Sequence, residues 1–196
     1  MYKIVKPSVT LEWMTPDPLA VIERAGRTCY QSEPKGDPED FVRMIMKRGH
    51  DSVLEHVTLS FRIVCDRGVT HELVRHRIMA YSQESTRYCR YGDGIQVIEP
   101  PNLTAEQFTQ WNSAIMAADR VYTTLLDMKV SPQIARSVLP TCLKTEIVAT
   151  GNLREWRHVL SLRMSKAAHP QMREIMGLLR PLIQPTVLLD GLHLNE

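Results

Sequence analysis

Residues 70–88 read THELVRHRIMAYSQESTRY, and the rest of the 196-residue chain is organised around this stretch. Thr70 is placed to cap a short helix whose apolar Leu73 and Val74 tie it to the core. Such a helix delivers Arg75, His76 and Arg77 together at its end. Ser82, Gln83, Ser85, Thr86 and Arg87 follow, with Tyr81 and Tyr88 at the flanks. Guanidinium groups and hydroxyls concentrated in this way match an anionic, hydrogen-bond-rich ligand, and a nucleotide phosphate fits that description. The competing reading is a solvated polar loop. The apolar approach and the aromatic flanks favour a partly buried segment instead, in which arginines need anionic partners.

Composition narrows the field. At this length one domain over residues 1–196 is expected, and 43% hydrophobic with 23% charged residues is ordinary for a globular protein. The formal net charge of +2 makes no global case for nucleic acid or membrane. Basic character is local, at Arg75 to Arg90, which suits a small anion. No apolar run approaches the roughly 20 residues of a membrane span, and the N-terminus lacks a signal peptide's apolar stretch, so a cytoplasmic protein is expected. Cys29, Cys65, Cys89 and Cys142 form no CxxC pair, so they read as packing residues rather than metal ligands, disulfides or nucleophiles.

Taken in order, residues 2–14 alternate as a strand, and Asp17-Pro18 opens a helix running to Tyr30 with Leu19, Ile22 and Ala25 inward. A second helix, Glu39 to Arg48, buries Phe41, Val42, Ile45 and Met46 and stops at Gly49. Val57 to Val64 alternates as a strand. Gly92-Asp93-Gly94 is a turn before a short strand, and no third glycine makes it a dinucleotide fingerprint. Thr104 caps a helix from Ala105 to about Lys129, with Phe108, Trp111, Ile115, Ala118, Tyr122 and Leu125 at helical spacing. Ser131-Pro132 starts a short helix, residues 141–150 form a strand, Asn152 caps another helix, and Pro170 opens the last, with Met172, Ile175, Met176 and Leu179 inward. The sum is one mixed α/β (α+β) domain.

RHR followed by seven residues and a serine, Arg75-His76-Arg77 through Ser85, resembles the signature of flavin-dependent thymidylate synthases. GHDSVLEH (Gly49 to His56), ARSVLP (Ala135 to Pro140) and NLREWRHVLSLR (Asn152 to Arg163) extend the resemblance over most of the chain. It implies a largely antiparallel sheet with flanking helices, assembled as a homotetramer whose active sites are shared between subunits. It also implies conversion of dUMP to dTMP, with methylenetetrahydrofolate as carbon donor and NADPH reducing bound FAD, without a cysteine nucleophile or a metal. Flavin and folate then carry the hard chemistry while side chains bind and polarise.

The resemblance places Glu72, Leu73, Val74, Arg75, Gln83, Glu84, Ser85, Thr86, Arg87, Arg136 and Arg163 on the nucleotide, with Arg87 at the phosphate and Ser85 close to the uracil. Ser52, Arg75, His76, Arg77, Gln83, Asn152, Leu153, Arg154 and His158 fall on FAD, and His50 on the folate side. Arg163 is the catalytic position, a guanidinium stabilising anionic character on the pyrimidine; otherwise it is a helix C-terminal cation favoured by the macrodipole. Arg136 has a structural ion pair as its competing role. Glu72 stands where some relatives have glutamine, and His158 where some have asparagine. Trp111, Trp156 and the methionine-rich helices offer material for subunit interfaces. Two other functions remain open: a related flavoenzyme alkylating another pyrimidine nucleotide, and a nucleic-acid-binding module using Arg75, Arg77, Arg87 and Arg90.

Overall fold

The computed structural model describes residues 1–29 and 31–192. Its elements, in chain order, are β1 (Lys3–Ile4), β2 (Ser8–Met14), α1 (Pro18–Thr28), α2 (Pro38–Lys47), a 3-10 turn (Asp51–His56), β3 (Thr58–Asp66), α3 (Arg67–Leu73), β4 (Ala80–Gln83), β5 (Gln96–Val97), α4 (Ala105–Asp127), α5 (Pro132–Ala135), β6 (Lys144–Asn152), α6 (Leu153–Arg163) and α7 (Pro170–Leu179). Further 3-10 turns cover Arg136–Val138, Arg180–Leu182 and Thr186–Leu189. The fold is mixed α/β, with a four-stranded sheet in the order β2-β3-β6-β4. Hydrogen bonds at the strand ends make it antiparallel: Thr15 N–H to Thr58 O, Leu153 N–H to Val57 O, Arg67 N–H to Leu143 O and Glu84 N–H to Glu146 O.

The single strand expected over residues 2–14 is two strands in different sheets. β1 runs parallel to β5, with Lys3 opposite Gln96 and Ile4 opposite Val97, while β2 joins the four-stranded sheet. Pro7, which has no N–H to give to a ladder, lies between them. The alternation was real, but it ran through a change of partner.

Two compact units are distinguishable, each made of three chain segments: Met1–Ser8, Ile63–Leu73 and Ser82–Ile147 in the first, Val9–Arg62, Val74–Tyr81 and Val148–Glu196 in the second. In the first unit α4 begins with the expected capping box. The Thr104 hydroxyl accepts from Gln107 N–H while the Gln107 side chain takes the Thr104 N–H. The helix packs Ile115, Tyr122 and Leu126 against Ile95, Val97, Ala135 and Leu143, with Trp111 and Leu125 at the edge of that cluster. Asp119 is buried there because its carboxylate accepts the Ile95 N–H at 2.9 Å.

In the second unit α6 and α7 pack together and α1 packs on α2. Ile22, Val42 and Ile45 are buried as expected, whereas Leu19, Ala25, Phe41 and Met46 are half-buried. α2 ends before Gly49, whose φ of +71° suits glycine after a helix. The expected end of α1 at Tyr30 lies outside the described residues. Met172, Ile175, Met176 and Leu179 of α7 are all buried. Trp156 of α6 is fully buried rather than available to a neighbouring subunit. It meets Phe61 edge-on at 4.9 Å, and its indole N–H donates to Leu59 O at 3.1 Å. Replacing it leaves a large cavity and an unused carbonyl. Trp156→Ala is expected to cost roughly 3–5 kcal/mol in urea unfolding, and a loss below about 1 kcal/mol shows the ring is not an anchor.

Candidate functional site

The signature stretch contributes to both units: Thr70–Leu73 and Ser82–Tyr88 to the first, Val74–Tyr81 to the second. Its local structure corrects the expected capping. α3 starts at Arg67, and Asp66 is its cap, the carboxylate accepting the Val69 N–H at 2.8 Å. Thr70 lies inside the helix and donates back to Arg67 O at 3.0 Å. The helix ends at Leu73, two residues before Arg75, so the RHR segment leaves on a turn.

In the second unit, His76 is the centre of a polar cluster. The Arg163 Nε–H donates to His76 Nε2 at 3.1 Å, and Glu155 Oε1 lies 3.4 Å from His76 Nδ1. His76 and Glu155 are 6% and 8% exposed, and His158 sits edge-on to His76 at 5.6 Å. Burial and the Arg163 cation push the His76 pKa below its ordinary value, with Glu155 opposing. A neutral ring that accepts at Nε2 carries its proton on Nδ1, facing Glu155. The Tyr81 hydroxyl donates to His76 O at 3.0 Å, and burial, with Glu155 adding to it, raises its pKa to about 12. One acceptor atom from each of His76, Glu155 and His158 falls within 4.8 Å of the others, a spacing a metal could use. Here His76 Nε2 already takes an arginine N–H, and that guanidinium opposes a second cation.

The other expected flavin-side residues of this unit divide by role. Arg75 and Arg77 are exposed, and no carboxylate pairs with either among the described residues. Ser52, His50 and His158 are exposed as well. Asn152 is the cap of α6, its Oδ1 accepting the Glu155 N–H at 2.8 Å, and Arg154 pairs with Glu55 at 2.6 Å on the surface. Leu153 is fully buried, and its peptide N–H is given to Val57 O at 2.7 Å.

In the first unit a second polar group forms around residues 83–87. Gln83 Nε2 donates to the hydroxyls of Thr70 at 2.9 Å and Thr145 at 3.1 Å, which commits its amide nitrogen to the scaffold. Glu84 takes the Tyr91 hydroxyl at 2.6 Å on one oxygen and Lys144 Nζ at 3.0 Å on the other. Burial, followed by that bond, raises the Tyr91 pKa well above normal. Arg67 Nη1 donates to Glu84 O at 3.3 Å and to Thr145 Oγ1 at 3.4 Å. The Ser85 hydroxyl accepts the Arg87 N–H at 3.3 Å, and Arg136 Nη1 donates to the Thr86 hydroxyl at 3.1 Å. Arg87 and Arg136 are exposed, with no carboxylate partner among the described residues. Arg87 lies 5.5 Å from the ring centre of Tyr88, itself 78% exposed. Leu73 is fully buried, Glu72 half-buried and Val74 partly exposed.

The arginines of the stretch are therefore at the surface, while its buried polar members are Thr70, His76 and Thr86. Glu155, Tyr91, Arg67, Lys144 and Thr145 escaped the reading of the sequence, which had Tyr81 only as a flank of the polar stretch. Glu155 had a signal, an acid three residues before His158 on a helix otherwise packed by Trp156, Val159 and Leu160. Burial lifts the Cys65 thiol to about 12 and Cys142 to about 11, so both are protonated at neutral pH.

Residues 10–187 match the family model described as thymidylate synthase complementing protein. The chain belongs to the flavin-dependent thymidylate synthase family. A flavin-dependent thymidylate synthase of Mycolicibacterium gilvum (strain PYR-GCK) is 38% identical, over 84% of this chain and 76% of the relative. One from Mycobacterium sp. (strain JLS) is 38% identical over 95% and 85%. Among crystal structures, thymidylate synthase X from Helicobacter pylori with FAD and dUMP superposes with a TM-score of 0.79 at 21% identity, covering 97% of this chain and all of that one. The UMP/dUMP methylase PolB from Streptomyces cacaoi, bound with 5-Br dUMP, gives 0.80 at 24%, covering 92% and 91%. Both share the fold. No helix among the described residues is long and apolar enough to cross a membrane.

The commitment of Glu84 to two partners gives a direct check. Tyr91→Phe removes a donor from a half-buried carboxylate and is expected to cost roughly 1.5–3 kcal/mol in denaturant unfolding. An unchanged midpoint would show that Glu84 finds water instead.

Proposed function

We propose that this protein methylates dUMP to dTMP, taking the carbon from methylenetetrahydrofolate and the reducing equivalents from NADPH through FAD. The observation that carries this reading is the family match over residues 10–187, which includes Arg75-His76-Arg77 through Ser85. That match crosses both units, which supports 1–196 as a single functional domain.

The donor set of the second unit fits FAD. Arg75 and Arg77 present exposed guanidinium groups of the kind a diphosphate requires, and Ser52 and His158 add hydrogen-bonding groups. When bound, FAD supplies redox chemistry that no side chain can. Asn152, Leu153 and Arg154 serve it through the start of α6, where Asn152 sets the helix entry. His50 is on the folate side. In the first unit Arg87 and Arg136, with Ser85 and Thr86, hold the 5′-phosphate. Gln83 and Glu84 keep that loop in place by their bonds to Thr70, Thr145, Tyr91 and Lys144. Glu72, Leu73 and Val74 add peptide groups on the nucleotide side.

Methylation at C5 needs electron density there, which grows as negative charge develops at N3, O2 and O4. Arg163 is the catalytic residue, a cation preorganised to stabilise that charge. The chain works as a cytoplasmic homotetramer in which neighbouring copies complete each site.

Purified protein is expected to be yellow and to release FAD, and to form dTMP when given dUMP, methylenetetrahydrofolate and NADPH. A folded, colourless protein that takes up no FAD overturns the reading; methylation of UMP in place of dUMP changes the substrate within the same chemistry. Arg163→Ala should keep its flavin and lose turnover on the order of a hundredfold or more, and a wild-type rate removes its role. Arg87→Ala should weaken dUMP binding about tenfold or more, as loss of a charge-assisted contact does; unchanged affinity places the phosphate elsewhere.

A further inference from the structure

Arg163 contacts a buried imidazole, His76, which in turn faces a buried acid, Glu155. We propose that these two are positioning residues for Arg163. Glu155 holds His76 in the Nδ1–H tautomer, and His76 Nε2 takes the Arg163 Nε–H, so the guanidinium plane is set before substrate arrives. The inference rests on the reading that Arg163 acts on the pyrimidine, and it deepens that reading.

Three observations carry it. First, α6 supplies both ends of the chain of contacts, Glu155 near its start and Arg163 at its last residue, and the Asn152 cap holds the Glu155 backbone. Second, the bond uses Nε, the guanidinium donor closest to the side-chain stem, so it restrains the torsion that aims the two terminal nitrogens. Third, the imidazole is itself pinned, with Tyr81 donating to its backbone carbonyl and Glu155 facing Nδ1. Such outer partners orient a functional group as they orient metal ligands. Any flavin contact at position 76 then falls to the peptide group.

The arrangement has a defined pH response. The titratable and charged groups facing His76 are Arg163, Glu155 and His158 of α6, and Tyr81 of β4. Burial and Arg163 keep the ring neutral to below the ordinary histidine range. As pH falls through that depressed value, a proton on Nε2 removes the acceptor and places a second cation against the guanidinium. Activity should therefore be lost on the acid side only.

The test uses the full-length holoenzyme. His76→Leu is expected to lower kcat with dUMP on the order of tenfold to a hundredfold, as misplacing a catalytic group does, with FAD content near wild type. His76→Gln, whose Oε1 can accept the same N–H, should recover most of that loss. It should also lack the acid limb of the kcat–pH profile, because an amide does not titrate. Wild-type kcat in His76→Leu, or an unchanged acid limb in His76→Gln, overturns the inference. Imidazole 15N spectra of the wild-type protein without substrate test it independently of the reaction. A single Nδ1–H tautomer that becomes a mixture in Glu155→Gln is expected, and a mixture already present in wild type overturns it. A fixed tautomer in a protein that leaves dUMP unmethylated sinks the proposed function and leaves the contact standing.

Discussion

Trp156 is the constraint on which the second unit's chemistry depends. Its ring is sealed against Phe61 and its indole N–H is satisfied by the Leu59 carbonyl of the central strand β3. Rotating α6 about its axis would expose an aromatic ring and orphan a buried donor, costs that the remaining contacts of one helix cannot offset. The rotation of α6 is therefore settled by packing. Because Glu155, His158 and Arg163 ride on the same helix, a hydrophobic contact decides where the polar groups point. The Asn152 cap sets the beginning of that helix, and Arg163 falls in its last turn, where the macrodipole favours a cation. The helix-end reading of Arg163 and its proposed catalytic role are compatible: the dipole stabilises the charge, and the guanidinium Nε–H is given to His76.

Charge in this protein is placed by division of labour. The cations proposed to meet ligands, Arg75, Arg77, Arg87 and Arg136, stay at the surface, where each remains hydrated until an anion replaces the water. Acids inside the scaffold are partnered instead: Glu84 with the Lys144 ammonium, and Glu155 with the Nδ1 side of the neutral His76 ring. Burying an arginine as a standing part of an empty site would carry a desolvation penalty throughout the protein's life. Exposing it defers that penalty to the moment of binding, when phosphate oxygens are present to repay it.

Residues 83–86 show how a signature motif can be largely structural. Gln83, Glu84 and Thr86 each spend side-chain bonds on Thr70, Thr145, Tyr91, Lys144 or Arg136, all within the first unit. A loop carrying three or four consecutive polar residues has many competing conformations, and ordering it is entropically expensive. Multiple internal bonds leave Arg87 presented on a segment with few alternatives. Glu84 shows this most plainly, since both of its oxygens are taken and its peptide N–H is in the β4–β6 ladder.

Much of this protein could be read from residue order alone. The family signature is a run of residue identities, and the Thr104 and Asn152 caps, the core faces of α4 and α7 and the Gly49 stop depend on short spacings that local sterics and hydrogen bonding decide. Other features depend on partners distant in sequence. Pro7 divides one alternating run between two sheets. Asp66, rather than Thr70, caps α3, since either can serve by spacing and the helix starts directly where β3 ends. Glu155 was passed over because an isolated acid on a helix looks like a solvated one until the fold brings His76 against it, 79 positions earlier in the chain. Local order is encoded in neighbouring residues. Burial, and with it the tautomer of His76 and the aim of Arg163, is a property of the packed interior, and only tertiary structure creates one.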